Sequence, residues 1–446
     1  MSEFLLVSDQ VAPVADGEVA GCAAALALAL SMAKHRVTIL SMATPDQVSR
    51  QPGMARRLKK IATRVGSSEQ EFSLYEGRSA ASQCALYVLG TNSENRGRRA
   101  NFLASAALSL VHDQICWPDV VVGWGETSAL ALACAPSANA AFVVPDGRWD
   151  LPLSSEESAE LGSENPAVAV SKGMLVGLGA IEADVVILPC PSAAESFRRA
   201  NELAFRASDQ PVTSICFGGD ELPYDPAIDP ALVANFSAAS LSGKLECRRA
   251  LARRTSLAVG PRTLLLTTGP LDPARGGREI LEIIARLGRA DVAVVFPAGG
   301  DRALSDQANV LAIHAPGKVT VFSESGSEAE RQILAAADAV LLADAGDLTG
   351  RAASRALRYG TLPLAPDMGA NGDYLVDHDV GSQTGCGLLY APADPLGGVG
   401  AIQRAILLRA DAELWQPLLS SLLAAAPRWA SAAAALEAIC LAPRAA

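Results

Sequence analysis

The sequence predicts an α/β protein made of two Rossmann-like, doubly wound domains. Three observations predict it: a length of 446 residues, a strand–helix alternation that runs along most of the chain, and a restart of that alternation after residue 261. A chain of this size exceeds one ordinary core and suggests two domains of about 200 residues each. Strands alternating with helices at this spacing form a parallel sheet covered by helices.

The elements follow in order. Residues 4–8 are a short apolar run and read as a strand. A loop containing Gly, Pro and Asp reaches Glu18, and the Ala/Leu-rich residues 20–32 read as a buried helix. Residues 36–40 supply the next strand, completing a strand–loop–helix–strand unit. A helix over 101–112 leads to a strand at 119–122, and 141–144 and 185–188 are further strands. The second series begins with a strand at 262–267 and a helix over 277–287. A strand at 292–296 then runs into Gly299-Gly300-Asp301, and 319–322, 339–342 and 361–365 continue the pattern. These readings place a boundary near 255–262, with domains at 1–255 and 262–410. Residues 411–446 read as C-terminal helices, interrupted at Pro427, that pack back on the first domain.

Composition narrows the function. Half the residues are hydrophobic and 19% are charged, which supports a large core and no long disordered stretch. The net charge is −11 and the isoelectric point about 5.0. Nucleic acid is excluded as a partner because phosphate neutralisation needs basic patches, and an anionic membrane surface is excluded for the same reason. The nine cysteines are scattered through apolar runs without a CxxC pair or a Cys/His cluster, so they read as buried small hydrophobes in a reducing compartment. Met1–Val7 lacks the basic segment and cleavable apolar core of a secretion signal. Residues 20–32 fall short of the ~20 apolar residues that a membrane span needs. A cytoplasmic location is expected.

Two segments carry a more specific signal. Residues 218–244 contain Asp225-Pro226-Ala227-Ile228-Asp229-Pro230 and end in Leu241-Ser242-Gly243-Lys244. This resembles the N-P-x-x-D-P…L-x-G-K segment of bacterial glycogen synthases and plant starch synthases. Ala356-Leu357-Arg358-Tyr359-Gly360, followed by Thr361-Leu362-Pro363, resembles the A-L-R-Y-G-x-x-P of the same family. Weaker matches are Pro118–Val121, Lys172-Gly173 through Ala183-Asp184, Cys190-Pro191 and Arg428-Trp429. Together they span nearly the whole chain. The resemblance implies the GT-B fold, in which two Rossmann-like domains face a cleft and a terminal helix crosses back to the first domain. It also implies metal-free transfer of glucose from ADP-glucose to an α-1,4-glucan, with retention of configuration and no cofactor beyond the sugar nucleotide.

The family pattern can be carried over residue by residue. The K-x-G-G-L loop falls on Ala15-Asp16-Gly17-Glu18-Val19: Gly17 is kept for close ligand approach, but the lysine is gone and Glu18 stands at the second glycine. A carboxylate about 4 Å from a phosphate oxygen costs roughly 4 kcal/mol at an effective dielectric of about 20. In the register from Pro118, the catalytic histidine falls on Thr127, which cannot titrate near neutrality. The S-R-L-x-x-Q-K-G loop falls on Gly269–Gly276: its arginine is Pro270 and its lysine is Arg275, the best remaining phosphate ligand. The E-P-C-G-L turn falls on Asp347-Leu348-Thr349-Gly350-Arg351. Asp347 is one methylene shorter than the family's sugar-contacting glutamate, with Thr349 and Gly350 at the helix N-terminus that can receive an anion. The T-G-G-L loop falls on Met368-Gly369-Ala370-Asn371, keeping Gly369.

The expected catalytic set is therefore Asp347, Arg275 and Thr127. The expected donor-binding set is Gly17, Glu18, Arg275, Thr349, Gly350 and Gly369, with no metal. Three readings stand: a weakened or re-targeted glucosyltransferase acting on nucleotide sugar and glucan; a non-catalytic pseudo-glycosyltransferase that binds glucan or partners an active synthase; and a nucleotide-binding protein without a carbohydrate role. Self-association is expected as an alternative to pairing with a synthase.

Overall fold

The structure, a computed structural model, describes residues 1–15, 18–65, 68–80, 82–146, 151–161, 174–200, 211–219, 224–267, 269–344 and 346–442. The chain divides into two compact units, one of residues 1–217 with 429–446 and the other of residues 218–428.

The first unit is organised on strands β1 (Glu3–Ser8), β2 (Arg36–Ala43), β3 (Ala55–Arg56), β4 (Ile61–Val65), β5 (Ser68–Arg78), β6 (Ala85–Gly90), β7 (Val120–Trp124), β8 (Asn139–Val143), β9 (Val185–Leu188) and β10 (Val212–Ser214). Their order is β10-β9-β8-β7-β1-β2-β6-β5-β3, with β4 paired to β5. From β10 to β6 all pairings are parallel. In β1, Phe4, Leu5, Leu6 and Val7 are all fully buried. Successive residues of a strand point to opposite faces, so burial of all four means that both faces are covered.

Strands β3–β5 are antiparallel and have no counterpart among the expected elements. The reason is pattern: β5 alternates polar and apolar residues, with Phe72 and Leu74 buried between neighbours that are partly or fully exposed, so it contains no apolar run. The closing helix Trp429–Cys440 belongs to this unit and buries Trp429, Ala432, Ala433, Leu436 and Cys440, one helical face. Trp429 stacks on Phe217 at 5.6 Å, and Trp124 completes the aromatic cluster at 5.2 Å from Phe217.

The second unit holds β11 (Thr263–Thr267), β12 (Val292–Pro297), β13 (Val319–Phe322), β14 (Ala339–Leu341), β15 (Leu362–Pro366) and β16 (Leu388–Tyr390), all parallel, in the order β13-β12-β11-β14-β15-β16. Contacts divide the chain after Phe217, not at 255–262, because residues 224–255 pack into the second core through Tyr224, Phe236, Cys247 and Leu251. The helix Ala412–Ala425 also packs there, through Trp415, Leu418, Leu419 and Leu422, so within 411–446 the first unit takes only the part from Trp429 onward. Sequence alternation marks where strand β11 starts, whereas a packing boundary depends on which core a preceding helix fills.

A buried polar network ties this unit together. Asp229 is 1% exposed; its Oδ2 accepts hydrogen bonds from the Tyr359 hydroxyl at 2.6 Å and from Arg331 Nε at 2.9 Å. Lys244 Nζ donates to the Tyr359 carbonyl at 2.8 Å and the Thr361 hydroxyl at 3.1 Å. Burial pushes the Lys244 ammonium down to about 7. Among the described residues, no helix is long and apolar enough to cross a membrane.

Candidate functional site

In an open parallel sheet, ligands bind beyond the carboxyl ends of the strands where the strand order reverses. The second unit reverses between β11 and β14. The loop leaving β11 turns through Gly269 and Gly276, both with positive φ. A Cβ on Gly276 would lie 2.2 Å from the Ala343 carbonyl oxygen, so only glycine lets this loop rest on the exit of β14. The Asp272 carboxylate caps the short turn Pro273–Arg275 by accepting from Ala274 N–H at 2.8 Å. Arg275 follows, exposed, with no hydrogen bond or ion pair to any described residue. Its guanidinium is available to a ligand.

Beyond β14, Asp347 Oδ1 accepts from Thr349 N–H and Thr349 Oγ1 at 2.8 Å each and from Gly350 N–H at 3.1 Å. This turn starts the helix Arg351–Arg358, with Gly350 at φ +64°. Asp347 thus satisfies part of that helix's N-terminus itself, while its Oδ2 has no partner among the described residues. Gly369 (φ +59°) opens the next short helix, and Ala370 N–H donates to the Asp347 carbonyl at 2.9 Å. The structure therefore joins Asp347 to Thr349, Gly350 and Ala370 by hydrogen bonds, with Gly369 preceding Ala370 in the chain and Arg275 on the neighbouring strand exit.

Residues that carry no motif also belong here. Asp344, just beyond β14, feels the charges of both Asp347 and Arg275. Its pKa is raised by burial first and by the Asp347 charge second, while the Gly346 N–H and the Arg275 guanidinium oppose the rise. Asp272 adds further negative charge nearby. Asp272, Asp344 and Asp347 thus share this end of the sheet with one guanidinium, a poorer cradle for a diphosphate than a cationic loop. Asn371 is 1% exposed with both amide atoms unpartnered, and the fully buried Thr267 hydroxyl at the end of β11 is also unpartnered. Among the described residues no group of three or more His, Cys, Asp or Glu is placed to hold a metal ion.

In the first unit the order reverses between β1 and β7. Gly17 lies outside the described residues, as do Lys172 and Gly173; Glu18 opens the helix Glu18–Met32. At the exit of β7, Gly125 (φ +85°) leads into the 3-10 stretch Glu126–Cys134. Thr127 is at the switch point but 3% exposed, its hydroxyl unpartnered and turned from solvent. The titratable group there is its neighbour Glu126, half-buried and 3.3 Å from Arg96. Burial raises the Glu126 pKa, Arg96 opposes, and Asp9 and Asp146 add to the rise. Arg96 is held in turn by Glu157 at 2.9 Å, and Arg99 by Asp9 at 3.2 Å. The sequence register located this turn; it could not show which of two adjacent side chains the core would take.

No protein-family model matches the chain. The glycogen synthase of Halorhodospira halophila is 29% identical over 220 residues, 49% of this chain and 46% of that protein. That of Anaeromyxobacter dehalogenans is 31% identical over 240 residues, 53% and 50% of the two. The matches thus span about half the length of these curated relatives. Among solved structures, the catalytic domain of Arabidopsis thaliana starch synthase IV bound to ADP and acarbose is similar over 99% of both chains, with a TM-score of 0.83 and 20% identity. Anabaena HepE in complex with UDP and glucose covers 98% of this chain and 99% of its own, with a TM-score of 0.58 and 14% identity.

Proposed function

This chain belongs to the glycogen and starch synthase family and has its GT-B fold, and from that premise we propose that it is a glucosyltransferase with altered donor contacts. The donor is a nucleoside diphosphate glucose, ADP-glucose in the first instance. The acceptor is an α-1,4-glucan, and no metal takes part. The observation that carries this reading is the cluster at the second unit's switch point, where unpaired Arg275 lies beside the Asp347–Gly350 turn and Gly369.

Each residue has a role in the proposal. Arg275 holds the departing diphosphate bidentately. The unpartnered oxygen of Asp347 accepts a hydroxyl of the donor sugar. Gly350 and Gly369 keep side chains out of the ligand's path, and Thr349 braces Asp347. Losing one charged contact costs about 2 kcal/mol, or about thirtyfold in rate. Turnover well below that of a synthase with the full cationic set is expected.

The test is incubation of the purified protein with ADP-glucose, UDP-glucose and glycogen or maltooligosaccharide primers, following nucleotide release and chain growth. Absence of turnover with every pair rejects the enzyme. A second reading, a non-catalytic glucan-binding protein or synthase partner, draws on the three carboxylates that share this end of the sheet with Arg275 and on the buried Thr127. It predicts sedimentation with glycogen, or capture of an active synthase, without turnover.

A further inference from the structure

The second unit carries a cavity, mainly apolar with a few charged and hydroxyl groups, at the opposite, amino-terminal end of its sheet. Its volume is about 410 Å³, and Ser240, Ser242, Leu245, Asp338, Arg409 and Trp415 are among the residues that line it. That volume falls within the range of about 300–1,000 Å³ typical of small-molecule sites. Its charge is unbalanced. Asp338 receives hydrogen bonds from Arg248, from Arg409 Nε at 3.2 Å and from Leu264 N–H at 2.8 Å. One carboxylate therefore answers two guanidinium groups. Arg248 is consumed, since its other arm donates to the Arg262 carbonyl. Arg409 is not: both of its terminal nitrogens lack a partner among the described residues, and its guanidinium lies 5.9 Å from the Trp415 ring. The exposed hydroxyls of Ser240 and Ser242 stand 3.4 Å apart on the same wall.

We propose that this cavity binds the phosphomonoester of a small metabolite. The Arg409 fork and the two seryl hydroxyls take the phosphoryl oxygens, and Leu241, Leu245 and Trp415 cover the carbon skeleton. A carboxylate would use both of its oxygens on the fork, whereas a phosphoryl group keeps a further oxygen for the hydrogen-bonded seryl pair. The proposal is independent of the nucleotide-sugar reading, because none of these residues belongs to the switch-point cluster.

Calorimetry on the intact protein at constant ionic strength tests it, with inorganic phosphate, glycerol 3-phosphate, a hexose 6-phosphate and citrate as probes. Saturable binding of the phosphate compounds is expected, tighter than citrate, unchanged by excess ADP and by Arg275→Ala. Leu245→Glu puts a carboxylate on an exposed wall position and should weaken binding at least tenfold without altering thermal stability. Arg409→Gln should also weaken binding, and Arg409→Lys should restore part of the loss. Absence of saturable phosphate binding, preference for citrate, displacement by ADP, or unchanged affinity in Leu245→Glu would each overturn it.

Discussion

The buried network around Asp229 and the exposed cluster around Arg275 lie in the same unit, and both occupy positions of the family pattern. The first keeps the family's residue types and the second does not. Asp229 and Lys244 come from one matching segment and Tyr359 from the other, and all three are joined by direct hydrogen bonds. At the switch point the expected arginine is Pro270 and the expected glutamate is Asp347. The difference is one of physics. Removing one partner of a buried ion pair leaves an uncompensated charge, so the network changes all at once or not at all. Arg275 and Pro270 are exposed, so a replacement there costs the fold almost nothing. Resemblance read from the first region reports descent and packing; chemistry has to be read from the second.

The sharpest way to break this comparison is Asp229→Ala. It strands Arg331 and the Tyr359 hydroxyl, and should lower unfolding stability by about 3–5 kcal/mol in urea titrations. A loss below about 1 kcal/mol would remove the network from its structural role. Next comes Gly276→Ala, where a Cβ meets the Ala343 carbonyl and φ is +73°. It should cost about 2–3 kcal/mol, showing that the cluster has one rigid point. Arg275→Ala should leave stability within about 0.5 kcal/mol while ADP affinity falls about thirtyfold by calorimetry. Equal ADP affinity in that variant would move the diphosphate elsewhere.

The last effect is one of pH. The folded chain releases the Lys244 proton at about 7, against 10.5 for the ordinary side chain. Between those values the unfolded chain holds a proton that the folded chain has lost, so this residue makes stability rise with pH. Below pH 7 both states are protonated and the slope vanishes. Lys244→Met should remove the slope between pH 7 and 10 relative to the parent, measured by chemical unfolding at several pH values.

The strands were legible in the sequence where the sheet is covered on both sides, because β1, β7, β11 and β14 are unbroken apolar runs. Strand β5 was not, since half of its residues face solvent. The switch-point positions Arg275, Asp347 and Gly350 could be placed by register alone. Asp344 could not: its character arises first from burial and then from the Asp347 charge, and neither is visible in a register. The burial of Thr127 was hidden for a related reason. A register places a residue on a turn, and packing then decides whether Thr127 or Glu126 faces outward.

Gly276 fixes the loop after β11 against Ala343, while the preceding Pro270 stays exposed and outside that contact. The chain is therefore a natural recipient for reintroduced charge. Pro270→Arg and Arg275→Lys together would build a cationic loop on an unchanged scaffold, a gain-of-function measurement on one protein.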